Sequence, residues 1–278
     1  MTQTHHSWVV GDLQGCIESL DHLLKQPGLL DDPTAQIYFA GDLINRGPAS
    51  LAVLRRIQSL GARAHCVLGN HDVHFLSVAA GMRRPTRYDT FDDILSSPHR
   101  DYWVDWLRHQ PLYQQQAGHL IVHAGVCPDW SLDELREVAD EIHSLLRSDD
   151  WAQHLPKLFG NEPALWSPKL TGYDRLRYGL NAITRVRYLH QDGSLDFGHK
   201  SAPDSAPDHL RPWFTVEPRG ITEPIVFGHW STLGFLHRHG VVAVDTGALW
   251  GGKLTALRLE DYKTIQIPAQ EAQPLSPI

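Results

Sequence analysis

The chain has 278 residues, 42% of them hydrophobic and 21% charged, and a formal net charge of -7, which fits a folded protein that buries its own core without staples. An acidic balance with no Lys/Arg block argues against a nonspecific binder of long polyanions; small anions stay open where a metal supplies positive charge locally. Cys16, Cys66 and Cys127 lack CxxC spacing and read as free thiols, and with no signal-peptide pattern in MTQTHHSWVV and no apolar run of membrane-spanning length, the expected location is the cytoplasm.

Strand and helix signals alternate through the first hundred residues. SWVVGD reads as a strand, and IESLDHLLKQ as a helix with Ile17, Leu20, Leu23 and Leu24 on one face. QIYFAGD is a second strand, SLAVLRRIQSLG a second helix stopped at Gly61, and AHCVLGNHD a third strand followed by the helix VHFLSVAAG. This β-α-β-α-β order predicts a partly parallel sheet covered by helices, with functional groups at the carboxyl ends of the strands. Residues 82–117 break the rhythm with Arg83, Arg84 and Arg87 and an aromatic helix around Tyr102–Leu107, and read as an insertion at the rim. GHLIVHAGV is a fourth strand. Ser131 and Glu134 form a capping box before Leu132, Leu135, Val138, Ile142 and Leu145 at helical spacing. Residues 151–214 are rich in Trp, Tyr, Pro and Arg, with SAPDSAPD (201–208) a loop, and IVFGHWS and VVAVDTGALWGGKLTALRL restore strand character. The expected organisation is one domain over 1–267, elaborated at 82–117 and 151–214, with 268–278 a disordered tail.

Five short motifs punctuate this order: GDLQG (Gly11–Gly15), GDLINRG (Gly41–Gly47), GNHD (Gly69–Asp72), HAG (His123–Gly125) and FGH (Phe227–His229). Each delivers Asp, Asn or His to the exit of a strand. One alone reads as a turn beside a satisfied core histidine; five in this order point to two metal ions with a phosphate between them. Asp12, Asp42, Asn70, His123 and His229 mix oxygen and nitrogen donors, a set that suits Mn²⁺, Fe²⁺, Co²⁺ or Zn²⁺ better than an all-oxygen Ca²⁺ cage.

The series resembles the metallophosphoesterase superfamily and, within it, the phosphoprotein-phosphatase branch, whose pattern is GDxHG, GDxxDRG, GNH[DE], H[AG]G and GH. The resemblance implies a calcineurin-like α/β (α+β layered) fold, with mixed β-sheets in a central sandwich flanked by helices and an insertion over the site. It implies that Asp12 binds a first metal, Asp42 bridges both, and Asn70, His123 and His229 bind the second. His71 would be the general acid and Arg46 a phosphate clamp. Two departures stand out. Gln14 replaces the family's His, so it would reach the first metal through a neutral oxygen or only through water, leaving that ion weaker and tilted toward Mn²⁺. Asn45 replaces the Asp that orients the catalytic His. It can accept a hydrogen bond from His71 but cannot stabilise an imidazolium as a carboxylate would. Weaker acid help favours a leaving group of low basicity, a nucleoside diphosphate rather than an alkoxide.

A narrower resemblance spans about residues 7–260. GDLxxRGPxSLxVLR (Gly41–Arg55), WSPxLxGxxRLRY (Trp166–Tyr178), NAxTRxR (Asn181–Arg187), RPWF (Arg211–Phe214) and DTGxxWGGxLTxLR (Asp245–Arg258) are similar to the symmetrical bis(5′-nucleosyl)-tetraphosphatases. It implies symmetrical hydrolysis of diadenosine tetraphosphate to two ADP by a hydroxide held between two divalent ions, Mn²⁺ before Co²⁺, Fe²⁺ or Zn²⁺. The alternatives are a phosphoprotein or small-molecule phosphomonoesterase of the same superfamily, or a degenerate dinucleotide-binding protein. Nucleotide-capped RNA 5′ ends share the polyphosphate linkage, and the sequence leaves them open as substrates; no obligate protein partner is evident. Arg175, Arg177, Arg185 and Arg187, at i, i+2 spacings, would lie in pairs on one face of an extended strand. Arg185 and Arg187, then Arg177 and Tyr178, are the substrate-binding candidates, with Trp166, Tyr173 and Tyr188 as further stacking surfaces. Asp245 either touches the site or orients His229, the structural role being favoured. REVADEIH (Arg136–His143) imitates half of the glutamate-rich motif of asymmetric dinucleotide hydrolases, but Pro128, Val122 and His143 occupy its other required positions, and helical periodicity explains it.

Overall fold

A computed structural model describes residues 5–271. In chain order it has β1 (Ser7–Val10), α1 (Ile17–Leu24), β2 (Gln36–Phe39), α2 (Ser50–Ser59), β3 (Ala64–Cys66) and α3 (Asn70–Ala79). The rim segment holds α4 (Asp92–Leu95), α5 (Arg100–Arg108) and β4 (Tyr113–Gln116), and β5 (His119–Val122), α6 (Leu132–Arg147), α7 (Trp151–Leu158) and α8 (Gly172–Thr184) follow. The remainder is β6 (Tyr188–His190), β7 (Leu195–Asp196), β8 (Leu210–Pro212), β9 (Ile225–Phe227), β10 (Leu236–Arg238), β11 (Val241–Ala243), β12 (Lys253–Arg258) and β13 (Thr264–Pro268).

Two five-stranded sheets, ordered β13-β12-β1-β2-β3 and β10-β11-β9-β5-β4, form the centre, and a small sheet β7-β6-β8 stands apart from them. β1, β2 and β3 run parallel, as do β5, β9 and β11; β12, β13, β4 and β10 are added to them by antiparallel pairing. Alternation along β1 shows why the sheets stack. Val9 packs with Tyr38, Leu257, Ile121, Val226 and Val242 in a core shared by both sheets, while Trp8 and Val10 join the outer core. Register puts Val9 beside Tyr38 and Leu257, and Val226 beside Ile121 and Val242, so period-two patterning becomes a sandwich. The expected calcineurin-like layering is what forms.

Four local expectations are corrected. β3 stops at Cys66, and Asn70 and His71 lie in the first turn of α3, not on a strand. Gly69 is extended, and its N–H is accepted by Asp72 Oδ2 at 2.8 Å, which starts the helix. Residues 172–184 are helical, so Arg175 and Arg177 are no strand-face pair; Leu176, Leu180 and Ile183 recur at helical spacing and are buried. The strand β4, polar YQQQ, escapes hydropathy patterning and pairs with β5. The expected disordered tail is held where it is described: Ala269 N–H donates to Gly252 O (2.9 Å), Gln270 N–H to Ser19 Oγ (3.0 Å), and Glu271 Oε1 accepts from Ser19 N–H (3.0 Å). Residues 272–278 of that tail lie outside the described residues. The capping box of α6 forms as read, Glu134 N–H donating to Ser131 Oγ at 3.2 Å and Ser131 N–H to Glu134 Oε2 at 2.8 Å.

Candidate metal centre

The candidate ligands gather where parallel strands end. Asp12 follows β1, Asp42 β2, His123 β5, His229 β9 and Asp245 β11, while Asn70 opens the helix after β3. The chain turns sharply there. Gln14, Asp42, Asn45, Arg46 and His229 have φ of 45°, 47°, 79°, 69° and 64°, left-handed values that cost a non-glycine residue of order 1–3 kcal/mol and persist where surrounding bonds enforce them. Those bonds are visible: Asp42 O accepts from Gln14 N–H (2.7 Å), Asp42 Oδ1 from His71 N–H (2.8 Å), and Asp12 Oδ1 from His229 N–H (2.9 Å). A Cβ on Gly69 or Gly228 would fall on the carboxylate of Asp42 or Asp12 respectively. These glycines let the loops close over the acids.

Asp42, His123 and His229 each bring one donor atom within 4.8 Å of the others. His123 Nδ1 faces Ala40 O at 2.7 Å, which leaves Nε2 turned to Asp42 Oδ1 (3.4 Å) and Asn70 Oδ1 (3.1 Å). His229 Nε2 faces Arg185 O at 3.1 Å, which leaves Nδ1 turned inward. Asn70 points its amide oxygen at both ring nitrogens; reversed, its nitrogen would lie 2.9 Å from His229 Nδ1 and 3.1 Å from His123 Nε2 and hydrogen-bond both. Hydrogen bonding alone favours the reverse, whereas a central cation favours oxygen inward. The titration of the cluster also demands positive charge. Burial lowers the His123 imidazolium, but Asp42 and Asp12 overcome it and raise it to about 10. Burial and then Asp245 push Asp12 well above the carboxylate range. Burial and then Arg187 hold His229 well below its ordinary value, hence neutral and able to ligate. The donor set therefore fits divalent transition metals.

His71 and Asn45 meet, with the polarity opposite to that expected. Asn45 Oδ1 accepts from the backbone N–H of Arg46 (2.8 Å) and Thr90 (3.0 Å), so its NH₂ donates to His71 Nδ1 (3.0 Å) and Asp89 Oδ1 (2.9 Å). His71 does not donate to Asn45; its Nε2 faces Asp42 Oδ2 at 4.0 Å. Burial lowers the His71 pKa, Asp42 opposes this, and Arg46 adds to it. Asp89 and His74, which sequence reasoning missed, complete the chain. His74 Nε2 lies 2.9 Å from Asp89 Oδ2. Burial raises the Asp89 carboxyl, but bonds from His74, Thr86 and Asn45 outweigh it and bring it to about 2. Asp72 was also missed; fully buried, it accepts from Leu43 N–H (3.0 Å) and Gly69 N–H and ties the two ligand loops together. His74 and Asp89 lie outside the five motifs, and Asp72, though inside GNHD, had no role assigned there; no periodic signal marks any of the three.

Two cavities, of about 350 and 330 Å³, share Arg46, Asn70 and His71. The first is also lined by Arg83, Phe159, Asn181 and Arg185; the second by Asp12, Gln14, Asp42, Arg187, Lys200, His229, Asp245 and Trp250. A larger, mainly apolar cavity of about 560 Å³ touches Arg46 but none of the candidate ligands. One buried guanidinium nitrogen of Arg46 and Nε of Arg187 have no hydrogen-bond partner among the described residues, an arrangement an anion would complete. Arg177 and Tyr178 are not brought here. Arg177 donates to Lys157 O (2.8 Å) and Glu162 O (2.7 Å), and Tyr178 is buried between Trp130 and Trp166. Arg175 pairs with Glu137 and Glu141. Tyr173 faces His154 and Tyr188 faces Trp230, so neither offers a free ring to this site. Asp245 lines the second cavity and accepts from Gly247 N–H (3.0 Å); the partner that orients His229 is Arg185 O.

Comparison with known proteins agrees with this geometry. The calcineurin-like phosphoesterase family model matches residues 5–230. A Bordetella pertussis protein named symmetrical bis(5′-nucleosyl)-tetraphosphatase is 46% identical over 267 residues, covering 96% of both chains. A Ralstonia nicotianae protein of the same name is 47% identical over 271 residues, covering 95% of this chain and 94% of the other. A crystal structure described as a candidate diadenosine tetraphosphatase superposes with a TM-score of 0.64 at 20% identity, covering 98% of this chain and 96% of that one, and so shares the fold. The chain belongs to the calcineurin-like phosphoesterases and, among them, to the symmetrical bis(5′-nucleosyl)-tetraphosphatase family.

Proposed function

We propose that the chain hydrolyses dinucleoside tetraphosphates symmetrically, diadenosine tetraphosphate giving two ADP. The observation that carries this reading is the pair of similar cavities meeting at Arg46, Asn70 and His71. A substrate with a nucleoside at each end and a phosphate chain between would seat one half in each, with its central bridging oxygen at the junction. Asp12 and Asp42, with Gln14 as a weaker donor, would hold one divalent ion; Asp42, Asn70, His123 and His229 would hold the other, with Mn²⁺ the preferred metal. When bound, such ions supply charge neutralisation for the phosphate chain and acidify a water to make a nucleophile at neutral pH.

The chain's own residues position and stabilise. Arg46 and Arg187, each with an unpartnered nitrogen, bind phosphate oxygens on which charge accumulates as the P–O bond breaks. Arg185 lines the first cavity beside Phe159, over which Arg83 stacks at 4.1 Å, leaving a cationic and aromatic wall for one nucleotide. Trp250 and Lys200 serve the second. His71 directs Nε2 at the junction as a hydrogen-bond donor to the departing diphosphate, which needs little protonation near pH 7. We place the protein in the cytoplasm, consistent with three unpaired, buried cysteines; among the described residues no helix is long and apolar enough to cross a membrane.

Incubation with Mn²⁺ and diadenosine tetraphosphate, followed by separation of products, tests the reading. ADP alone is expected. ATP plus AMP would show asymmetric attack, absence of turnover would favour a binding protein, and faster release of phosphate from a phosphopeptide would favour a phosphomonoesterase.

A further inference from the structure

The Asn45 amide has no freedom of orientation. Its oxygen accepts from the backbone N–H groups of Arg46 and Thr90, and its NH₂ donates to Asp89 Oδ1 (2.9 Å), so bonds at both ends together keep the NH₂ toward His71 Nδ1. The Asp89 side chain is 2% exposed, and its other oxygen accepts from Thr86 N–H (2.6 Å) and lies 2.9 Å from His74 Nε2. No group at Asp89 can donate to Asn45, and Asn45 can only donate to His71 Nδ1. We propose that Asp89 is a positioning residue that, through Asn45, holds His71 as the tautomer carrying its proton on Nε2, the nitrogen that faces Asp42. The inference rests on the reading of His71 as the group beside the leaving oxygen. It leaves Nε2 as the donor nitrogen of His71 with no carboxylate behind Nδ1, an arrangement suited to a weakly basic phosphate leaving group and unsuited to an alkoxide that must be fully protonated.

The arrangement has a consequence for Asn45→Asp. That change alone sets a carboxylate against Asp89 where a 2.9 Å hydrogen bond now runs, and two carboxylates so close cannot both ionise. The exchange Asn45→Asp with Asp89→Asn leaves every group satisfied. The new carboxylate at 45 accepts from Arg46, Thr90 and the new amide at 89, whose oxygen takes over the bonds from Thr86 and His74. His71 Nδ1 then faces an acceptor, its proton moves to Nδ1, and a carboxylate stands ready to support an imidazolium. Asp89 thus excludes the Asp–His pair that a phosphomonoesterase uses.

The test is long-range ¹⁵N spectroscopy of histidine-labelled full chain loaded with diamagnetic Zn²⁺, with His71→Gln assigning the resonances. In parallel, kcat and KM are measured for diadenosine tetraphosphate and an alkyl monophosphate. In the unaltered chain His71 Nδ1 should resonate as unprotonated and Nε2 as protonated. Asp89→Ala should mix the two tautomers and lower kcat about tenfold with KM little changed, a fraction of the roughly 10²–10⁴-fold that general acid–base groups contribute. The exchange should move the proton to Nδ1 and raise the monophosphate-to-dinucleotide ratio of kcat/KM at least about tenfold above that of Asn45→Asp alone. A proton on Nδ1 in the unaltered chain would overturn the proposal, as would an Asn45→Asp variant equal to the exchange in spectrum and ratio. The expected tautomer in a chain that does not cleave the dinucleotide would remove the hydrolytic reading and leave the tautomer assignment standing.

Discussion

Arg46 combines a left-handed backbone, φ 69°, with a buried guanidinium nitrogen that has no partner among the described residues. Such a residue is worth its strain only if an anion completes it. A charge-assisted contact contributes about 1.5–3 kcal/mol, so Arg46→Ala should lower kcat/KM for the dinucleotide about ten- to hundredfold. Arg46→Lys should recover little, since a point charge cannot replace the fork. At Gln14, which lines the same cavity as Asp12 and Asp42, Gln14→His should tighten metal binding as followed by titration calorimetry. Equal affinities would mean that position 14 takes no part in holding the ion. Both residues stood out in the sequence as candidates because their motifs tie residue type to chemistry, and both line the second cavity. Arg177 and Tyr178 were misjudged because composition alone cannot tell an arginine that binds carbonyls inside the protein from one that awaits a ligand.

The elements that support the site divide by the strength of their local signal. The Ser131–Glu134 box and the apolar face of α6 were readable because cap and periodicity agree. Ser131→Ala should cost about 1 kcal/mol, seen as a lower urea midpoint with an unchanged slope. The helix α8 was hidden behind arginines at i, i+2, a spacing that outweighed Leu176, Leu180 and Ile183 until burial on α6 and α7 showed which face mattered. In GNHD the helix starts three residues earlier than the strand reading allowed, at Asn70 rather than Val73. Gly69 and Asp72 cap it, and only the loop from β2, through Leu43 N–H, reveals why an acid is needed there.

Across the whole molecule, the inward-facing oxygens of Asp42 and Asn70 and the ring nitrogen of His229 form a buried donor cluster that a cation would satisfy. A divalent ion at 100 times its dissociation constant should add about 2.7 kcal/mol to stability, so chelation should lower Tm and Mn²⁺ should restore it. Acid should act through His143, whose imidazole is buried and whose Nε2 accepts from Leu112 N–H at 2.6 Å. Burial first, then Arg147, depress it from 6.5 to about 4. The unfolded chain therefore binds a proton that the folded one refuses in this window. The contribution of His143 is complete above pH 6.5, falls as pH drops toward 4, and totals about 3 kcal/mol. His143→Gln keeps an acceptor without titrating, and its denaturant midpoint should lose less between pH 7 and 4.5 than that of the unaltered chain.

The sequence by itself determined the strands that end at Asp12, Asp42, His123 and His229, the layered α/β class and the candidate ligand set, because hydropathy period and strand-exit motifs are local. Only the tertiary structure decided which way Asn45 points, which arginines face the junction, and that Asp89 and His74 stand behind His71. Those depend on bonds between residues up to 45 positions apart, such as Thr90 N–H to Asn45 Oδ1. A hydrogen bond's direction is set by how all the competing donors and acceptors around it are satisfied, and no periodicity in the chain encodes that.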